Sequence, residues 1–272
     1  PLLTSPLKVD ERILHHVTGV FYLDDRLIGM LSTHVFPDDI TSSQAELVSS
    51  LRTVLGRVNV TRQLPVIQLL GDDRGAKLDV AAVTAAEDNA PFYILRINDM
   101  PTDPAEREAL VRLWEREVIL SGAYLLIDCS DASTADFQRS VSPFLEINRV
   151  PVFLALDQPQ QRINRTCIYF EVNKPSAAEQ IGLWESIFRE SGKQQYPPLE
   201  KLTMHFNFDS KKIISAAEET MDISSNDNGI IENNTLWEVC RRHARTTLEG
   251  LAQRITPKAG WDDLVLPDEQ IE

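Results

Sequence analysis

The stretch Gly71-Asp72-Asp73-Arg74-Gly75-Ala76-Lys77-Leu78 follows an apolar run and precedes an Ala-rich one, and its lysine stands where a phosphate-binding loop carries its own. Such a loop needs Gly immediately before the Lys, so that backbone amides can close on the phosphates, and Ser or Thr immediately after it to hold Mg²⁺. Those positions are Ala76 and Leu78, and Asp72 and Asp73 put two carboxylates where a triphosphate would lie. By themselves the residues read as an ordinary strand-to-helix turn, with Gly71, Gly75 and Lys77 the candidates for a weak or absent nucleotide site. Asp128 is the fourth candidate. It closes Tyr124-Leu125-Leu126-Ile127-Asp128, where a Mg²⁺-coordinating Asp would be followed by a Glu that activates water. Cys129 stands at the Glu position, and a neutral thiol cannot orient or deprotonate water as a carboxylate does. No residue is assigned a catalytic role, and a lone Asp after a strand also has turn-forming reasons to be there.

A rival constellation uses some of the same residues. Asp72, Asp73 and Asp128 with Lys174-Pro175 mimic the acidic pocket and lysine of a receiver-like phosphoacceptor domain, where carboxylates hold Mg²⁺. The fourth strand ends at Asp157 instead of offering the Ser or Thr such a domain uses. His15-His16, His34, His205 and His243 have no metal-ligand spacing, and Cys129, Cys167 and Cys240 are too widely spaced for a zinc site or a disulfide framework, so no metal is expected. Arg241, Arg242, His243 and Arg245 form a basic cluster that reads as a solvated helix face able to meet an acidic neighbour in an oligomer. Asn59, Asn164 and Asn233 head Asn-x-Thr sequons, which matter only in a secreted chain.

The elements that must position these residues follow from periodicity. Residues 7 to 57 read as helices: Asp10 and Glu11 signal an N-terminus, Ile13, Leu14, Val17 and then Leu27, Ile28, Leu31 recur at helical spacing, and Thr41 to Gln44 opens a second helix closed by Gly56. Short apolar runs then alternate with helical patterns. Strands are expected at 65–70, 92–97, 123–128, 151–156 and 167–172, with helices at 78–87, 103–120, 132–146 and 176–191. Five near-continuously apolar strands separated by helices imply a parallel sheet covered on both faces, with ligands at the strand C-termini. After Gly192 only helical patterns remain, at 199–206, 209–221 and 236–254, with a polar loop at 224–229.

Composition bounds the function. The chain has 272 residues, and 27 Lys+Arg against 41 Asp+Glu leave a net charge of −14, which excludes a phosphate-neutralising nucleic-acid binder. A hydrophobic share of 43% is that of a globular chain, and no apolar run approaches the ~20 residues that span a bilayer. Pro1-Leu2-Leu3-Thr4 shows no basic region or hydrophobic signal core, so a cytoplasmic location without membrane partners is expected.

From about Leu64 to Glu272 the chain resembles the AAA+ ATPase family. The resemblance rests on the strand, loop and Lys77 series, the strand ending at Asp128, and Asp157 where the family has its sensor polar residue. It continues through Ile168-Tyr169-Phe170-Glu171-Val172 and Ala178 to Trp184, like the family's closing strand and helix, and through the helices from Leu199 to Leu251, like its helical lid. Residues 251–267, with Trp261-Asp262-Asp263-Leu264-Val265-Leu266-Pro267, are similar to the linker that leads into a second module in tandem bacterial and archaeal members. The resemblance implies an N-terminal helical segment (1–60), a degenerate α/β domain with a five-stranded parallel P-loop-type sheet (61–193), a helical lid subdomain (194–255) and a linker (256–272). It implies a first module without catalysis, serving assembly, regulation or partner docking. No cofactor is expected here, with ATP and Mg²⁺ belonging to the parent ATPase. The partners it implies are the downstream module and neighbouring subunits, with a protein substrate or adaptor beside them. Arg162 and Arg165 are the candidates for an arginine finger, with solvated surface arginines the alternative reading, and Ala76, Leu78 and Cys129 depart from the family's chemistry.

Overall fold

A computed structural model describes residues 9–37, 39–56, 64–130, 132–193, 195–224 and 230–248. Its order is α1 (Glu11–Val17), α2 (Asp25–Ile28), β1 (Leu31–Ser32), α3 (Ser42–Gly56), β2 (Val66–Leu70), α4 (Arg74–Glu87), β3 (Phe92–Arg96), α5 (Pro104–Ser121) and β4 (Tyr124–Asp128). There follow α6 (Thr134–Asp136), a π-type turn (Phe137–Val141), α7 (Ser142–Ile147), β5 (Val152–Leu156), β6 (Cys167–Glu171), α8 (Ala177–Glu190), α9 (Leu199–His205), α10 (Ser210–Ile223) and α11 (Asn233–Leu248). The described residues divide into two compact units, one reaching Gln180 and including Phe208–Lys211, the other made of Ile181–Asn207 and residues from Lys212 to Leu248.

The first unit is built on a mixed sheet of six strands in the order β1-β3-β4-β5-β2-β6. The five expected strands are parallel, but they are joined by β1, which runs antiparallel to β3 with Leu31 opposite Leu95 and Ser32 opposite Ile94. This corrects the five-stranded expectation. A two-residue strand carries no alternation of its own, and Leu27, Ile28 and Leu31 recur at helical spacing although only the first two lie in a helix.

Alternate residues of each central strand face opposite layers. Val66, Leu125, Ile127, Val152, Leu154 and Leu156 point to one core with Leu27, Leu110, Trp114 and Phe144 from the helices on that side. Ile67, Leu69, Leu126, Phe153 and Ala155 point to the other, against Val48 and Leu51 of α3 and Val80 and Ala81 of α4. Gln68, fully buried in β2, exchanges two hydrogen bonds with the backbone of Gln160, each 2.9 Å, so no polar atom of its amide is stranded. Glu179 ties two helix starts together. One carboxylate oxygen accepts from the Ser43 amide at 2.8 Å and the Ser42 hydroxyl at 3.0 Å at the start of α3, and the other closes a capping box with Ser176 at the start of α8.

The N-terminal segment is held to α5 by buried charge. Arg12 grips both carboxylate oxygens of Glu117 at 2.8 to 3.1 Å with the two side chains 3% and 2% exposed, and the Tyr22 ring lies 5.2 Å from the Arg12 guanidinium carbon. The second unit is helical. Trp184, Phe188 and Tyr196 form one aromatic row with centroids 5.5 and 5.4 Å apart, and Leu202, Ile213, Leu236 and Val239 are buried. Residues 249–272, including the expected linker and Trp261, lie outside the described residues, as do Asn59 and most of the expected loop at 224–229.

Candidate functional site

The polar turn expected from Gly71 to Lys77 is shorter than its sequence implies, because Asp73 is an N-cap. Its carboxylate accepts from the Ala76 amide at 2.9 Å, so α4 begins at Arg74. Arg74 and Lys77 thus share the first turn of a helix at the C-terminal edge of the sheet. Burial raises the Asp73 carboxyl above the ordinary carboxylate range; the Ala76 amide opposes this and the charge of Asp209 adds to it.

Lys77 is fully buried, and its ammonium donates to Gly71 O at 2.7 Å, Leu156 O at 3.0 Å and Asp157 Oδ1 at 3.0 Å. An ammonium has three hydrogens. All three point at protein acceptors, two of them at the ends of β2 and β5. Gly71 has a steric reason to be glycine. Its φ is +135°, and a Cβ there would lie 2.3 Å from the carbonyl oxygen of Val172, a backbone atom with nowhere to go. Gly75 has ordinary φ, and a Cβ there would sit 3.4 Å from Asp73 Oδ1 and from the Lys211 side chain, so it is not a steric necessity.

Asp128, 5% exposed at the end of β4, accepts on Oδ2 from Arg74 Nε at 2.7 Å and from Arg74 Nη2, and on Oδ1 from the Ser130 amide at 3.3 Å. The carboxylate that a cation would need is therefore paired with an arginine from the first turn of α4. Cys129 is buried, and burial pushes its thiol far above the ordinary range with the Asp128 charge adding to it, so it supplies no thiolate. Arg165 donates to the backbone oxygens of Leu64, Leu145, Asn148 and Val150 and acts as a structural brace, whereas Arg162 is exposed.

The structure thus brings Gly71, Lys77, Asp157, Arg74 and Asp128 to one end of the sheet, around β2, β5 and β4. Gly75 and Asp73 stand on the adjoining turn. Sequence reasoning missed Arg74 as a partner of Asp128, and the signal that could have found it is the Asp73 cap, which moves the helix start four residues upstream. The receiver-like constellation is not assembled in the same way. Lys174 pairs with exposed Asp72 at 3.3 Å, Asp73 caps α4, and the parallel strands follow the order β3-β4-β5-β2-β6 in place of the flavodoxin-type order 2-1-3-4-5. Among the described residues no group of three or more His, Cys, Asp or Glu side chains could hold a metal ion, and no helix is long and apolar enough to cross a membrane.

No curated protein matches the chain. Residues 176–246, from the start of α8 into α11, match the family model of the contractile injection system ATPase helical domain. The helical C-terminal part is therefore similar to a helical domain found in an ATPase, and the match does not extend over the sheet or the Lys77 turn.

Proposed function

We propose that this chain is a non-catalytic AAA+-like module from the N-terminal part of an AAA+ ATPase, serving assembly, regulation or partner docking for an active module elsewhere in the parent. The observation that carries the reading is the ammonium of Lys77, ligated on all three hydrogens by Gly71, Leu156 and Asp157. A triphosphate does not fit these residues. Lys77 has no donor left for it, Ala76 puts a methyl where backbone would approach phosphate, Leu78 offers no ligand to Mg²⁺, and Asp128 is paired with Arg74. The same geometry disfavours a nucleotide-binding enzyme using Lys77 and Asp128. The match over residues 176–246 supports an ATPase parent, and a contractile injection system is the machine we propose for it. The downstream module and neighbouring subunits are the partners this role requires.

Calorimetry with Mg-ATP and a phosphate-release assay on the purified chain test the reading. The expected results are no saturable heat up to millimolar nucleotide and release no faster than in buffer. A micromolar dissociation constant, or turnover that a folded Lys77→Ala variant loses, would overturn it.

A further inference from the structure

The second unit contains a groove of about 520 Å³, lined by residues at the starts of α9 and α11. Two of its walls are aromatic, and each ring is braced by rings that do not line the groove. Tyr196 packs on Phe188 with centroids 5.4 Å apart, and half-buried Trp237 packs on His205 and Phe206 at 5.1 and 5.3 Å. Rings held in this way lose little freedom when a partner covers them. Ile230 extends the apolar surface at 44% exposure, and Met204, one turn from Lys201 on α9, is 82% exposed and free to adapt to what it meets.

An occupant's backbone must be satisfied as well as its side chains. The groove cannot do this by continuing a β ladder, because Pro197 and Pro198 carry no N–H and the Ile231 amide is already given to Gln195 O at 2.9 Å. It offers side-chain donors instead. The amides of Gln195 and Asn233, the Tyr196 hydroxyl and the Trp237 indole have no hydrogen-bond partner among the described residues. A polyproline II segment matches this inventory: its carbonyls make no internal hydrogen bonds, each proline removes an N–H that the groove would have to receive, and prolyl rings pack on aromatic faces. A helix would cover the same rings, but its carbonyls are already bonded and would leave those four donors to water. Charge adds a second requirement. Lys201 is the one ionised side chain of the lining, is exposed, and has no ion pair among the described residues. It calls for a carboxylate, and the chain's own net charge of −14 disfavours a run of them, so a single acidic residue beside the prolines is the match.

We propose that this groove receives an extended, proline-containing segment of a partner protein, with prolyl rings on Tyr196 and Trp237 and one neighbouring carboxylate on Lys201. As the docking site of the module proposed above it rests on that role, whereas the binding is read from the groove alone; the peptide titration and the Mg-ATP titration therefore fail separately. The test titrates the full chain with a library of ten-residue peptides sharing a Pro-x-x-Pro core and one Asp, and follows the indole ¹⁵N–H resonance of Trp237, assigned by Trp237→Phe. Saturable shifts of that resonance below millimolar peptide are expected. Replacing the Asp by Asn, or using Lys201→Glu, weakens binding up to roughly fivefold, as for one exposed ion pair, and a peptide with Lys in place of Asp prefers the Lys201→Glu chain. Trp237→Leu, checked for an unchanged circular dichroism spectrum, weakens binding roughly thirtyfold, as for an interface hot spot. No saturation by any library member, indifference to Lys201→Glu and Trp237→Leu, or tighter binding of an amphipathic helical peptide of the same charge would each overturn the proposal. A Trp237 resonance that shifts with protein concentration alone, alongside a dimer in sedimentation, would overturn it too, by giving the groove to a second copy.

Discussion

Replacing Lys77 by Met keeps the buried aliphatic stem and removes only the ammonium, so it isolates what that group does. If Lys77 served a nucleotide, the change would abolish binding and leave the apo chain nearly as stable. The structure predicts the reverse. Leu156 O is buried and loses its partner, at about 1–3 kcal/mol for an unsatisfied acceptor, and the charge-assisted bond to Gly71 O is lost with it. The ion pair to Asp157 adds little, because that side chain is 57% exposed and regains water, and relief of the buried ammonium offsets part of the loss. The net is a destabilisation of about 2–3 kcal/mol, short of the 3–5 kcal/mol of breaking a fully buried pair. For a unit of this size that lowers Tm by roughly 5–10 °C, read by near-ultraviolet circular dichroism. Millimolar Mg-ATP leaves the parent's Tm unchanged, since a ligand that does not bind the folded state cannot stabilise it. A Lys77→Met chain with unaltered Tm would refute the reasoning, as would a parent stabilised by Mg-ATP through Lys77.

Gly71→Ala is expected to cost about 3 kcal/mol or more, because the new Cβ at φ +135° meets the Val172 carbonyl at 2.3 Å, and urea midpoints report it. Arg12→Ala leaves Glu117 buried with Arg116 at 3.5 Å and should cost about 3–5 kcal/mol, whereas Arg12→Met/Glu117→Met removes both charges and costs less than the single change in a double-mutant cycle. Burial alone would raise the Glu179 pKa, but the amides and hydroxyls it accepts from bring it down to about 2 from 4.5. Its stabilisation is therefore complete above pH 4.5 and lost as pH falls through 2, and Glu179→Gln should flatten urea-derived stability across that window while costing about 1 kcal/mol of capping at neutral pH.

The alternation of apolar runs and helical patterns was enough to place all five parallel strands within about a residue or two of their ends, since buried strands in a covered sheet must be apolar throughout. The sequence also located Gly71, Lys77 and Asp128, because strand ends and turn residues are local signals. β1 was not legible: two residues become a strand only when β3 presents its edge to Leu31 and Ser32. Nor was the state of the candidate site. That Lys77 turns inward to Leu156 and Asp157, and that Arg74 covers Asp128, are contacts across 79, 80 and 54 residues of chain. A charged side chain takes whichever partner the fold brings within reach, and sequence spacing does not encode which partner that is. The sequence by itself determined the layers of the first unit and the residues available at their edge; the tertiary structure decided that Lys77 turns to Gly71, Leu156 and Asp157 and that Arg74 pairs with Asp128.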